Sequence, residues 1–257
     1  MKNCKYTGWL VLVLLFCAHT SFKKASPRLP GNTATIELLF NNTMKGVKIV
    51  LYDSSYTNPF GEAFTINKFR YYISQISLNN PNSISSSEEL FYLIDEKIPE
   101  SHMIRFTVPA GNYTSLSFLL GVDSLHNVSG AQSGALDPAK DMFWTWNTGY
   151  VMAKLEGQSP ASTIVNRKYE YHIGGFSGKY NVLKKINLDF PEKKPVLIKA
   201  GSTTQLIIEA DINTWWQHPN DIKIAERPAI NSPGQFALAI SDNYKKMFTI
   251  KEIITSP

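Results

Sequence analysis

The stretch FRYYISQISL, residues 69–78, decides the fold class. Phe69, Tyr71 and Ile73 fall on one face of an extended chain, Tyr72 and Ser74 on the other, and the run closes with Ile76 and Leu78. In a strand successive side chains point to opposite faces. Aromatic and β-branched residues suit such a pleated, half-buried surface. Outward from this run the same grammar repeats. TATIELLF (33–40) puts Ile36, Leu38 and Phe40 on alternate positions, and GVKIVLY (46–52), LFYLI (90–94), MIRFTV (103–108) and YTSLSFLLGV (113–122) follow. YEYHIGG (169–175), INLDF (186–190), VLIKA (196–200) and TTQLIIEADI (203–212) resume it later. The runs are bounded by Asn, Pro, Gly or Asp, which supply turn geometry. The pattern predicts a mainly β protein: one antiparallel β-sandwich or barrel-like domain with long loops.

The interruptions are as informative as the strands. NNPNSISSSEE (79–89) is rich in turn formers and predicts a mobile loop. Residues 121–141, GVDSLHNVSGAQSGALDPAKD, carry few apolar side chains and no period, which predicts a long loop. Loops of that length in a compact domain are usually functional or disordered. GQSPASTIVNRK (157–168) is a second one. Near the end, Phe236, Ile240, Tyr244 and Phe248 recur every four residues, one face of a short C-terminal helix, with Ser232 placed to cap it and Pro233 just inside.

The chain opens with MKNCKYTGWLVLVLLFCAHTSF. Lys2 and Lys5 precede an apolar run that is short of the roughly 20 residues a membrane-spanning helix needs. Residues 1–21 therefore read as a secretory signal, with Cys17 a candidate lipoprotein anchor, 22–33 as a linker and 34–257 as the β domain. No transmembrane span is expected once the signal is removed, and the location expected is periplasm, outer membrane or cell surface. Both cysteines, Cys4 and Cys17, lie in that leader, so the exported domain has no disulfide and no thiolate ligand. Roughly 225 residues suffice for one sizeable core. The formal net charge is a mild +5, and the Lys pairs at 184–185, 193–194 and 245–246 are scattered, unlike a surface that tracks nucleic acid.

No G-x-S-x-G, HExxH, phosphate-binding loop or zinc spacing is present, and no residue is assigned a catalytic role. Asp123, Asp137, Asp141 and Glu156 surround the 121–157 region without the spacing of a calcium loop. His102 is expected at the surface, at the start of MIRFTV. His126 lies in the long loop, His172 in YEYHIGG and His218 beside two tryptophans in WWQHPND. Two imidazoles brought together at a loop mouth would suit copper or zinc. In DMFWTWNTGY (141–150), Trp144 and Trp146 share one face if the segment is extended. Core packing is the simplest role for that pair, since a buried indole removes a large apolar area from water. Stacking on a sugar, or oxidation beside a metal, are the functional alternatives.

The segment 121–157, GVDSLHNVSGAQSGALDPAKDMFWTWNTGYVMAKLEG, followed by YHIGGFSG (171–178), resembles the MbnP-like family. So do NKFRYYISQISL (67–78) and SDNYKKMF (241–248), and the resemblance runs from about residue 35 to 248. It implies an exported, non-catalytic, β-rich copper-binding protein, some relatives being encoded beside methanobactin genes. It also implies a dihaem, peroxidase-like partner that oxidises a tryptophan to kynurenine, with copper held by histidines and the kynurenine. Carried over, the W-x-W strand is Trp144 and Trp146, the histidine of the H-[LI]-G segment is His172, and the loop histidine is His126 beside Asn127. The chain departs from one branch of the family in having no cysteine in the exported domain. It also has Ser74 and Gln75 where that branch often has a histidine. The competing expectation is a metal-free envelope module that grips a glycan or a protein through its long loops.

Overall fold

A computed structural model describes residues 31–80, 83–87, 91–145 and 149–257. The expected leader, most of the linker and Trp146 lie outside the described residues. Among those residues, a five-stranded and a nine-stranded sheet form the body of the fold. The smaller sheet orders Phe248–Ser256, Thr203–Asp211 and Thr33–Met44, the last also pairing with Met103–Pro109 and Val47–Lys48. The larger is built on the thirteen-residue strand Lys68–Asn80.

That strand serves different partners along its length. Arg70 pairs with both Lys154 and Asp95, and Ile73 with both Leu120 and Tyr92. One edge is therefore taken first by Gly149–Gln158 and then by Ser115–Leu120, while Phe91–Asp95 and Ser83–Ser86 hold the other. The change of partner coincides with a bulge. The pairing moves two residues on one strand, Ser117 to Leu119, and three on the other, Ser77 to Ser74. Gln75 absorbs the extra residue in a left-handed conformation, φ 50°, with its side chain in solvent. A bulge re-phases alternation. Phe69, Tyr71 and Ile73 before it and Ile76 and Leu78 after it are all buried.

The two sheets meet through aromatic rings. Phe40 of the smaller sheet packs edge-on against Tyr71 and Phe118 of the larger, with centroids 6.2 and 6.0 Å apart, and Phe248 closes the group at 6.1 Å from Phe40. Edge-to-face contacts of this kind add to the burial of the rings themselves. Trp215 and Trp216, both buried, extend the core against Phe69 at 5.9 Å and Phe64 at 4.8 Å. Some of the polar atoms this core buries are paired, while Trp216 Nε1 and the Tyr244 hydroxyl have no hydrogen-bond partner among the described residues. The Tyr71 hydroxyl donates to Asn42 Oδ1 at 2.9 Å, and Asn42 Nδ2 donates to Glu96 Oε2 at 2.8 Å. His102 Nε2 lies 3.4 Å from the same Glu96 oxygen. His102 is thus buried, not at the surface, because the turn Pro99–His102 folds it back onto Glu96.

Several expected details change. The sandwich is mixed: Thr33–Met44 runs parallel to Thr203–Asp211, and Lys168–Gly174 parallel to Ala229–Ile230. Within the predicted 79–89 loop, Ser83–Ser86 pairs back onto residues 77–80 as a strand. The predicted 121–141 loop is irregular but packed. It carries a short helix, Ser124–Val128, and two 3-10 turns laid over the outer face of the larger sheet. Tyr72 and Tyr150 reach into it from below, donating to the carbonyls of Ala135 at 3.1 Å and Leu136 at 2.8 Å. The late helix is Gln235–Tyr244. It starts after an extended Gly234 without a side-chain cap from Ser232, and Phe248 belongs instead to the edge strand that follows.

Replacing Tyr71 by Phe leaves the buried Asn42 carbonyl oxygen without its donor. The expected cost is about 1–3 kcal/mol, read as a lower urea midpoint with an unchanged slope.

Candidate functional site

The register of the larger sheet lays out a charged grid on its outer face. Asp95, Arg70, Lys154 and His172 are successive cross-strand partners in one row, and Lys68, Glu156 and Glu170 are partners in the next. Between the rows Phe69, Leu155 and Tyr171 point the other way, into the core. Alternation therefore delivers the apolar residues to one side and the charges to the other.

Above the grid sits Asp141, held left-handed at φ 58° at the end of the Pro138–Lys140 turn. Its carboxylate lies 2.8 Å from Lys68 Nζ, 3.0 Å from Lys154 Nζ and 3.8 Å from an Arg70 nitrogen. Glu156 takes Lys68 at 3.2 Å and His172 Nε2 at 2.8 Å. Arg70 Nε faces Asp95 at 2.8 Å. Lys154 is only 2% exposed, and its ammonium also donates to the Asp141 carbonyl.

The titration behaviour follows from these contacts. Burial pulls Lys154 below the usual lysine range, and Asp141 and Glu156 restore only part of it. Lys68 is also pulled down by burial, but the same two carboxylates more than reverse this and raise it. Burial alone would raise Glu156. The His172 hydrogen bond and the charges of Lys68, His172 and Lys154 overcome it and bring the carboxyl from its ordinary 4.5 to about 2. Glu156 is thus ionised at neutral pH and can only accept, so in the neutral imidazole His172 Nε2 carries the proton and Nδ1 the lone pair. A carboxylate that fixes an imidazole tautomer is the usual outer partner of a metal-ligating histidine.

Trp144 stands beside this group. Phe143–Trp144 pairs with Gly149 and Tyr150, and the indole crosses to the neighbouring strand to lie on Gly174, which has no side chain to obstruct it. Gly174 and His172 are two apart on the same strand and share a face. Trp144 and His172 accordingly line one cleft of about 290 Å³, with Asp141, Phe143, Val151, Lys154 and Asn231. Trp144 also walls a second cleft of about 270 Å³ formed with Tyr150, Phe176 and Tyr180.

His126 is elsewhere. It sits on the Ser124–Val128 helix with Nδ1 2.9 Å from both Asp123 carboxylate oxygens and its ring 4.6 Å from that of Phe91. Phe91 pairs with Ser74, whereas His172 lies in the Arg70 row, three strands across. Strand rise and spacing separate the two histidines by roughly 20 Å. Asn127 has a structural part: it accepts from Tyr150 N at 2.8 Å and donates to the Val122 and Asp123 carbonyls.

As a metal site, the cleft holds donors of suitable kind but few of them. Imidazole nitrogen suits copper, while the carboxylates of Asp141 and Glu156 are engaged by lysines. Among the described residues no group of three or more His, Cys, Asp or Glu side chains could hold a metal ion. Lys154 was not signalled by the sequence, since only strand register reveals that it opposes His172.

Fold and cleft together define a β-sandwich protein with a tryptophan and a carboxylate-fixed histidine side by side on its outer sheet. The MbnP family model matches residues 33–232, and the chain belongs to that family. Among solved structures, MbnP from Methylosinus trichosporium is similar at 12% identity, with 88% of this chain and 99% of that chain covered and a TM-score of 0.47. No curated protein matches the sequence.

Glu156 contributes stability that is fully present above the ordinary glutamate range and is lost as pH falls through about 2. Glu156→Gln should therefore be less stable at neutral pH and show a flatter stability curve between 4.5 and about 2, measured by denaturant titration at several pH values. Gly174→Ala places a methyl group where the Trp144 ring lies. It should displace the indole, changing the near-ultraviolet circular dichroism at a cost of about 1–3 kcal/mol.

Proposed function

We propose that this chain is an exported, non-catalytic copper-binding protein of the cell envelope whose site is the His172–Trp144 cleft. The observation that carries the reading is the shared cleft: an imidazole with its tautomer set by Glu156, next to a tryptophan 7% exposed. His172 would hold the metal through Nδ1. Trp144, once oxidised to kynurenine by a dihaem, peroxidase-like partner, would add an aromatic amine and a carbonyl. Copper would supply a soft, nitrogen-preferring centre there, and the chain's own residues orient and shield it. Export is supported by the basic leader and short apolar run of residues 1–21.

A second reading is a metal-free module that grips a glycan or protein through the loops. It draws support from the cations at the cleft, since Lys154 and Lys68 already neutralise Asp141 and Glu156.

Copper titration with tryptophan fluorescence as the readout, together with bound metal after dialysis, separates the two. One copper per chain is expected, lost in His172→Ala and kept in His126→Ala. Mass spectrometry of the residue 141–150 peptide should locate the oxidation at Trp144. Protein that has met its oxidising partner and still binds no copper at micromolar levels would sink the first reading.

A further inference from the structure

A cleft of about 470 Å³ lies away from Trp144 and His172. It opens between the Ser55–Thr57/Ala63–Thr65 hairpin and the 158–167 loop. Three features of its wall point to a ligand. The first is a free cation. Arg167 makes no ion pair among the described residues; its guanidinium donates only to the carbonyls of Ser162 at 2.9 Å and Pro160 at 3.4 Å. The second is backbone strain. Asn166 and Arg167 are consecutive non-glycine residues at φ 61° and 54°, a left-handed conformation common for Asn but rare for Arg. The third is uncommitted polarity: the Ser55 hydroxyl and the Asn166 side-chain amide have no partner among the described residues. The loop that presents these groups is tied down. Buried Ser159 donates to the Ala63 carbonyl, and buried Ser162 to that of Lys168.

The chemistry of the wall narrows the ligand. A guanidinium fork matches a carboxylate, and a single fork balances one negative charge, where a phosphate dianion would want a second cation. Phe64 lines the floor but is 1% exposed, so it offers no ring face on which a nucleobase could stack. The neutral amide and hydroxyl groups suit hydroxyls, and the volume suits a small ring. We propose that this cleft binds an acidic monosaccharide, with the uronate carboxylate on Arg167 and ring hydroxyls on Ser55, Gln158 and Asn166.

The test is an amide-shift titration of the folded protein with D-glucuronate. D-glucose serves as the neutral isostere, and Arg167→Gln and Lys168→Gln as variants. Saturable glucuronate binding is expected, with shifts clustered at residues 55, 158, 166 and 167. Glucose and Arg167→Gln should each weaken binding about tenfold, the worth of one charge-assisted hydrogen-bond pair. Lys168→Gln, one residue away but outside the cleft, should bind as the unaltered protein does. No saturation at concentrations on the order of 10 mM, equal binding of glucose, shifts centred elsewhere, or an unaffected folded Arg167→Gln would each overturn the proposal. If Arg167→Gln does not fold, the comparison of glucuronate with glucose on the unaltered protein decides alone. Neither sugar engages the copper site, so the outcome is independent of it.

Discussion

The one-residue bulge at Gln75 is the constraint on which the larger sheet depends. A strand of thirteen residues would ordinarily keep one partner on each edge. Here the first half pairs with Gly149–Gln158 and the second with Ser115–Leu120 on the same edge. Without the extra residue, Ile76 and Leu78 would fall on the face opposite Phe69, Tyr71 and Ile73. The left-handed Gln75 restores their phase, so both halves bury their apolar side chains against the same smaller sheet. The Phe40–Tyr71–Phe118–Phe248 group joins the two sheets, with Tyr71 from the first half of the central strand and Phe118 from the strand that pairs with its second half.

The outer face follows from the same alternation. Once Tyr71 and Leu155 are committed inward, Arg70, Lys154, Lys68 and Glu156 must face outward under the 121–141 segment. Charges in such a half-buried layer persist only when paired. Asp141 answers three cations from above, and Glu156 links Lys68 to His172. The histidine is thereby given one tautomer and one free nitrogen, and the glycine at 174 makes room for an indole at its side. A site of this kind is a product of register: no two of its residues need be adjacent in the chain.

Much of the fold was legible because it is written in local periodicity. The alternation in residues 33–40, 69–78 and 203–212 announced strands, and all three are strands. The recurrence at 236, 240 and 244 announced a helix, which forms with Ile240 and Tyr244 buried and Phe236 half out under Arg227. Less legible were features that rest on long-range contact. The parallel pairing of Thr33–Met44 with Thr203–Asp211 joins segments from opposite ends of the chain. The burial of His102 depends on Glu96 and Asn42, which no local pattern links to it. The 121–141 segment has no period because its packing uses carbonyls and single side chains, such as Asn127, in place of a repeating face.

The candidate site divides in the same way. The sequence by itself determined a β-rich chain whose two cysteines both lie in its first 17 residues, and it singled out Trp144 and His172 as residues worth attention. The family resemblance also paired His126 with His172, since each falls where that pattern places a histidine. Tertiary structure decided that Trp144 and His172 share a cleft while His126 lies against Phe91, roughly 20 Å away across the sheet. The reason is that side-chain alternation is a property of neighbouring residues, readable locally. Which strands lie side by side, and in what register, is settled only when the whole core is buried.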